Sequence, residues 1–187
     1  MRSRHAGVVC LTLLLCQLLA ACSGEEKESP LTPQEQYEVT LERRSELGKF
    51  EEDLVDAIGG SAWDAGLPAG QAQTAGCPSG VPDEFLFMRP RNTPRQSFPF
   101  QSVGERSDAI ARAKAHLGKL GMDTRIEQRN GEVYLYGDGS DLSALIMFLE
   151  NGAALMTVKT SCSIEWPNFT LTLTQFAELE NGNARTE

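Results

Sequence analysis

Residues 123–161 have the sequence DTRIEQRNGEVYLYGDGSDLSALIMFLENGAALMTVKTS, and this stretch decides the fold. The dipeptide Asn-Gly occurs in it twice, at positions 130–131 and 151–152, each time between segments rich in strand-forming residues. Asn-Gly is a strong hairpin signal because both residues tolerate the positive φ of a type I′ turn. A wider turn at 137–141 joins the two hairpins. The stretch therefore predicts a four-stranded antiparallel meander, with strands at 123–129, 132–136, 142–150 and 153–161.

The third of these strands is unusually apolar. Residues 142–149 are nearly all hydrophobic, which is typical of a strand in the centre of a sheet, covered on both faces. The same run also fits a short helix, with Asp141 as its cap and Gly152 after its end. The sequence favours the strand and leaves the helix open as an alternative.

A long helix is predicted at residues 33–58. It begins at Thr32, Pro33 and Glu35, which form a capping box with proline at the first helical position. Glycines at 59–60 end it. Apolar residues recur at helical spacing along one face: Tyr37, Leu41, Leu47, Phe50, Leu54 and Ile58. The opposite face is acidic and is expected to be solvated: Glu38, Glu42, Glu46, Glu52, Asp53 and Asp56.

Residues 59–101 predict two loops that flank a short strand. The first loop, 59–82, has Trp63 as its one large apolar residue. The strand covers 84–89 and is expected to stop at Pro90, because proline lacks a backbone donor. The second loop covers 90–101, where Phe98 and Phe100 are expected to pack on the core.

Two further helices complete the pattern. Ser102 and Glu105 form a capping box for a helix at 103–120, which Gly121 ends. Its apolar face is predicted to comprise Ile110, Ala113, Leu117 and Leu120. Residues 168–183 predict a short helix docked through Phe176 and Leu179.

The N-terminus has the layout of an export signal. Arg2, Arg4 and His5 precede an apolar run at 8–19, which is too short to span about 30 Å of hydrocarbon. The run ends in Leu19-Ala20-Ala21-Cys22, which resembles the lipobox of bacterial lipoproteins. The resemblance implies that residues 1–21 are a removable signal peptide and that Cys22 becomes the lipid-carrying first residue. An ordinary secretory signal with a chance cysteine is the alternative.

Charge and anchoring define the expected compartment. Removal of residues 1–21, which hold two arginines and no acid, lowers the formal net charge from −9 to −11. Such a chain is repelled by nucleic acid and by anionic headgroups. It would meet the bilayer through its acyl chains, outside the cytoplasm, at the cell membrane or at the outer membrane of a two-membrane bacterium. Ser23, rather than an aspartate, follows Cys22.

The remaining cysteines predict a disulfide. Cys77 and Cys162 are the two that lipidation and cleavage leave, and an exported pair usually bonds. The bond would place the start of strand 84–89 beside the end of the last strand, so that the two strands can pair. The predicted fold class is α+β: an N-terminal helix plus a βα-ββββ domain with an antiparallel sheet and one disulfide. The expected organisation is signal 1–21, tether 22–31, helix 32–60, domain 61–183 and disordered tail 184–187.

No sequence motif predicts catalysis, a metal or a cofactor. His116 is the single histidine after Cys22, and a structural role is expected for it. Residues 138–141 resemble a fragment of a calcium loop, but Leu142 and Leu149 stand where ligands are needed. Paired carboxylates could serve a cell-wall glycosidase, although so many acids give this pattern little specificity.

These observations predict a non-enzymatic envelope lipoprotein, a monomeric domain that binds an unknown envelope protein or small ligand. The chain is loosely similar to small actinobacterial lipoproteins of unknown function, the LppA-like group, in its anchor, its size and a late cysteine after a hairpin. An envelope hydrolase acting through a carboxylate pair is the alternative. A scaffold that only positions a partner in an export or wall-synthesis complex is a third.

Overall fold

The computed structural model describes residues 30–68, 71–94 and 99–183. Its helices are α1 (Pro33–Gly59), α2 (Val103–Lys119) and α3 (Leu173–Asn183), with 3-10 turns at Gly60–Ala62 and Ser163–Glu165. Its strands are β1 (Gln73–Gly76), β2 (Phe85–Asn92), β3 (Asp123–Arg129), β4 (Glu132–Asp138), β5 (Leu142–Phe148) and β6 (Ala154–Thr160). The predicted signal, nearly all of the tether, Phe98 and the tail 184–187 lie outside the described residues.

The six strands form one antiparallel sheet in the order β1-β2-β6-β5-β4-β3. The predicted α+β class and the βα-ββββ core are therefore confirmed. Cys77 and Cys162 are disulfide-bonded, with their Cα atoms 5.9 Å apart. As expected from that bond, β2 and β6 lie side by side, with Met88 opposite Lys159. Strand β1 is an addition, because the sequence predicted a loop there.

The two hairpins use different turns. Asn130 and Gly131 have φ values of 52° and 80°, as the predicted type I′ turn requires. In the second hairpin the Leu149 N–H donates to the Ala153 carbonyl, so three residues, 150–152, form the loop. Gly152 there has a φ of 87°. The second Asn-Gly pair thus supplies a three-residue loop with glycine in the left-handed position, and the prediction of a second type I′ turn was wrong.

Strand β5 is a strand and not a helix, but only one of its faces is fully covered. Ala144, Ile146 and Phe148 are buried beneath the helices, whereas Leu145 and Met147 on the other face are half-buried. The expectation of cover on both faces was therefore wrong. The physical reason is that the described helices all pack on the same side of the sheet. An antiparallel sheet tolerates one open face.

Strand β2 continues through Pro90 to Asn92, which corrects the predicted stop at Pro90. The Thr93 N–H donates to Ala154 O, so the odd-numbered residues of β2 direct their N–H groups toward β6. The nitrogen of Pro90 faces the other way. On that side the ladder with β1 extends only as far as the pair Gln73–Met88, so no β1 residue lies opposite Pro90. Proline is tolerated there because no ladder bond is lost.

The helices bury the faces that their periodicity predicted, with one exception. Leu47, Leu54, Ile58 and Leu117 are fully buried. Leu120, predicted on the apolar face of α2, is 53 % exposed because the helix ends at Lys119 and Gly121 (φ 73°) turns the chain. Buried positions also include the expected Trp63, Phe100, Ala113 and Phe176, with Leu179 partly buried against the core.

Both capping boxes form as predicted. Hydrogen bonds from the backbone and hydroxyl of Thr32 lower the pKa of the Glu35 carboxyl, and Ser102 does the same for Glu105. The anticipated acidic face of α1 is exposed at all six positions. No helix in the described part of the chain is long and apolar enough to cross a membrane.

Candidate functional site

The residues that the sequence singled out do not form a common site among the described residues. Cys22 is outside the described residues. The Cys77–Cys162 disulfide links the residue that follows β1 to the segment just after β6, and it holds no free thiol. His116 is half-buried on α2, with its Nε2 atom buried and without a hydrogen-bond partner among the described residues.

A cleft lies between α1 and the turn that joins β4 to β5. Its volume is about 460 Å³, within the usual range for small-ligand pockets. Phe50, Met122 and Leu142 give it an apolar floor, and Gly139 and Ser140 form one wall. The amphipathic pattern of α1 explains the position, because Phe50 belongs to the buried stripe while its charged neighbours form the rim.

The rim of the cleft carries both signs of charge. The Arg43 Nη1 atom lies 3.6 Å from Glu46 Oε2 and 3.7 Å from Asp141 Oδ2, so one guanidinium serves two carboxylates. Lys49 and Asp53, one helical turn apart, also line the cleft. Neither has a hydrogen-bond or ion-pair partner within the described ranges. The cleft thus offers one ammonium and one carboxylate that are free to meet a ligand.

Glu46 and Asp141 are the carboxylate pair at this cleft that could be compared with the pair a glycosidase needs. Both contact the same nitrogen, so their oxygens are no further apart than the sum of those two distances. A separation of that order fits glycoside hydrolysis. However, the two side chains are 47 % and 51 % exposed, whereas such a site keeps one carboxyl protonated by burial. The separation of the two carboxylates is compatible with glycoside hydrolysis, but their exposure to solvent does not favour a protonated carboxyl.

A buried charged cluster is the main feature that sequence reasoning missed. Glu51 is fully buried, and Arg89 and Arg91 are 1 % and 6 % exposed. Arg89 Nε lies 2.5 Å from Glu51 Oε2, and Arg91 Nε lies 2.9 Å from Glu51 Oε1. The exposed Glu52 pairs with Arg91 Nη2 at 2.7 Å.

The same cluster holds the first loop against the core. Arg89 donates to the backbone carbonyls of Leu67 (2.8 Å), Pro68 (3.2 Å) and Gln71. Through these three hydrogen bonds the cluster ties the first loop to β2.

Metal binding receives no support from the side chains that the structure describes, which include no group of three or more His, Cys, Asp or Glu able to hold an ion. Of the residues 138–141 that resemble a calcium-loop fragment, Asp138 ends β4, whereas Gly139, Ser140 and Asp141 form the turn to β5 and line the cleft. No family model, curated protein or solved structure matches this chain.

Proposed function

We propose that this chain is a lipid-anchored bacterial envelope lipoprotein whose domain is a non-enzymatic binding module. The lipobox-like Leu19-Ala20-Ala21-Cys22 supports the anchor, and the Cys77–Cys162 bond fits an oxidising compartment. Residues 23–30, fully extended, span at most about 28 Å. A domain on so short a tether meets its ligand close to the membrane surface.

The cleft between α1 and the β4–β5 turn is the observation that carries the binding proposal. It combines an apolar floor with Lys49 and Asp53, which have no partner in the described chain. This arrangement suits a small amphipathic zwitterion of peptide-like character, whose side chain lies on Phe50, Met122 and Leu142. Its carboxylate would meet Lys49 and its ammonium would meet Asp53.

Titration with leucyl-leucine tests this pairing. We expect binding of the dipeptide and at least about fivefold weaker binding of its acetylated, amidated analogue, because charge-assisted hydrogen bonds are the stronger kind. Lys49→Ala and Asp53→Ala should each weaken the dipeptide by a similar factor in calorimetry. Lys114→Ala, an exposed lysine of α2 outside the cleft, should leave the affinity unchanged. Equal affinity for both probes would contradict the proposal.

Replacement of Cys22 tests the anchor. In cells fed radiolabelled palmitate, the wild-type chain should take up label and sediment with membranes, because two acyl chains anchor stably. Cys22→Ala should carry no label and retain its signal peptide, which adds the mass of residues 1–21. Cys77→Ala should still be labelled. Label retained by Cys22→Ala would refute lipidation at Cys22.

An envelope hydrolase remains the alternative, supported by the spacing of Glu46 and Asp141 around Arg43. In that case purified protein would release soluble fragments from cell-wall polymers, and Glu46→Gln and Asp141→Asn would each abolish the release. No release by the wild-type protein would leave the binding proposal standing.

A further inference from the structure

Strand β3 is a free edge of the sheet. Among the described strands it pairs with β4 alone, in a register that places Arg129 opposite Glu132 across a two-residue turn. In such a hairpin the residues flanking the turn exchange both backbone hydrogen bonds. Residues 123, 125, 127 and 129 therefore direct their backbone groups toward β4. The backbone groups of Thr124, Ile126 and Gln128 point outward, and Ile126 is 41 % exposed.

The sequence of this edge, DTRIEQR, is complementary to itself when it runs antiparallel about Ile126. Asp123 then lies opposite Arg129 of a second copy, and Arg125 lies opposite Glu127. Thr124 meets Gln128, and Ile126 meets Ile126. Every charged residue of the strand faces an opposite charge, and the apolar residue faces its own copy.

Neighbouring registers lose this match. Centring the pair on Arg125 sets Arg125 against itself and Asp123 against Glu127. Centring it on Glu127 sets Glu127 against itself and Arg125 against Arg129. Like charges directly opposite each other are destabilising in a sheet. The charge pattern thus favours the register centred on Ile126, which pairs all seven residues, over these two neighbouring registers, which is how a sheet edge gains specificity.

The charged side chains of β3 lie together on the open face of the sheet, the face on which this register pairs them. Glu127 is on the open face between Arg125 and Arg129 and contacts both. Arg125 lies over the Tyr136 ring at 4.0 Å, and Arg129 lies over the Tyr134 ring at 5.7 Å. The arginines therefore lie on the open face, over the neighbouring strand β4, and must turn outward from these rings to meet the acids of an incoming strand.

We propose that a second copy of this chain adds to β3, so that two sheets join edge to edge about a two-fold axis at Ile126. Three residue pairs would then exchange backbone hydrogen bonds: Thr124 with Gln128, Ile126 with Ile126, and Gln128 with Thr124. The Ile126 side chains bury each other on the helix side. A two-fold contact of this kind is self-complementary and closed. The proposal replaces the expectation of a monomeric domain.

Disulfide trapping in the full-length exported chain tests the register. In an antiparallel hydrogen-bonded pair the Cα atoms are about 5.5 Å apart, within disulfide range. Ile126→Cys should therefore form a covalent dimer on non-reducing gels, at least about tenfold more than Thr124→Cys, whose copies lie four positions out of register. Coexpression of Thr124→Cys with Gln128→Cys should restore the dimer.

Charge reversal provides a second test of the dimer, and this test needs no introduced cysteine. Chemical cross-linking in membranes should capture wild-type dimers, and Arg125→Glu should lose them. The swap Arg125→Glu with Glu127→Arg should recover them. Lys159→Glu is the matched control, since it makes the same charge change three strands away on the same face. Equal trapping of Ile126→Cys and Thr124→Cys, or no rescue by the swap, would overturn the proposal. The charges would then serve to keep β3 from pairing with another strand.

Discussion

Glu51→Ala will lose about 3–5 kcal/mol of unfolding free energy, which is a large part of what a domain of this size possesses. The change removes the only fully buried acid between Arg89 and Arg91. Two guanidinium groups would then share the exposed Glu52, so one positive charge would be left without compensation in the core. The loop that Arg89 holds through the carbonyls of Leu67 and Pro68 should loosen as well.

Urea unfolding of the mature chain, followed by tryptophan fluorescence, measures the loss. Trp63 is buried at the start of that loop and should report its release. Glu52→Ala is the matched control, because it deletes the neighbouring carboxylate, which is 56 % exposed, and should cost about 1 kcal/mol or less. Equal effects of the two substitutions would show that burial does not set the contribution of Glu51.

A double substitution separates the charge from the packing. Glu51→Leu with Arg89→Met removes both members of the closest pair, leaving Arg91 with Glu52. Apolar replacement of a buried pair is often neutral or stabilising, although here the hydrogen bonds from Arg89 to the loop are lost too. We expect the double variant to be more stable than Glu51→Ala and less stable than the wild type.

The signal for this cluster was present in the sequence. Glu51 interrupts the apolar stripe of α1 between Leu47 and Leu54, so the helical period places a carboxylate in the core. Phe85, Phe87, Arg89 and Arg91 alternate along β2, so the strand period places two arginines on the buried face. Treating Pro90 as a stop hid that alternation. An acid and two arginines at core positions of different elements need one another, because buried charges are paired.

Local chemistry predicted the elements well, and tertiary context decided what it missed. Capping boxes, Asn-Gly turns and apolar periodicity located α1, α2, β3 and β4 within a residue or two. Strand β1 was not predicted because Gln-Thr-Ala-Gly has little strand propensity and becomes a strand through its pairing with β2. The sequence did not predict the cleft either, because the cleft forms where α1 meets the β4–β5 turn and no local pattern relates those two segments. The open face depends likewise on where the helices pack.

Loss of the Cys77–Cys162 bond is the second large effect. The bond closes a loop with a sequence separation of 85 residues. The chain-entropy treatment gives about 4.5 kcal/mol for such a loop, and removal of native disulfides from small exported domains typically costs about 2–5 kcal/mol. We expect Cys77→Ser, Cys162→Ser and the double variant to be destabilised by similar amounts, because each removes the same constraint on the unfolded chain.

The location of the bond adds a local effect to this constraint. Cys162 precedes the turn Ser163–Glu165, where the Ser163 hydroxyl accepts a hydrogen bond from the Phe85 N–H at 3.3 Å. Trp166, just beyond, packs edge-on against Phe85 with ring centroids 6.0 Å apart. Without the bond this turn should fray from β2, so the aromatic contacts around Phe85 weaken and the loss falls in the upper part of that range.

Thermal and urea unfolding of the oxidised and the reduced wild type provide the comparison. Reduction should lower the unfolding midpoint to that of the double serine variant, while far-ultraviolet circular dichroism below the transition stays the same, because the constraint acts mainly on the unfolded state. Since β2 and β6 also pair through five residue pairs from Met88–Lys159 to Asn92–Leu155, the sheet itself should survive reduction. Identical midpoints before and after reduction would show that this ladder alone fixes the ends of β2 and β6.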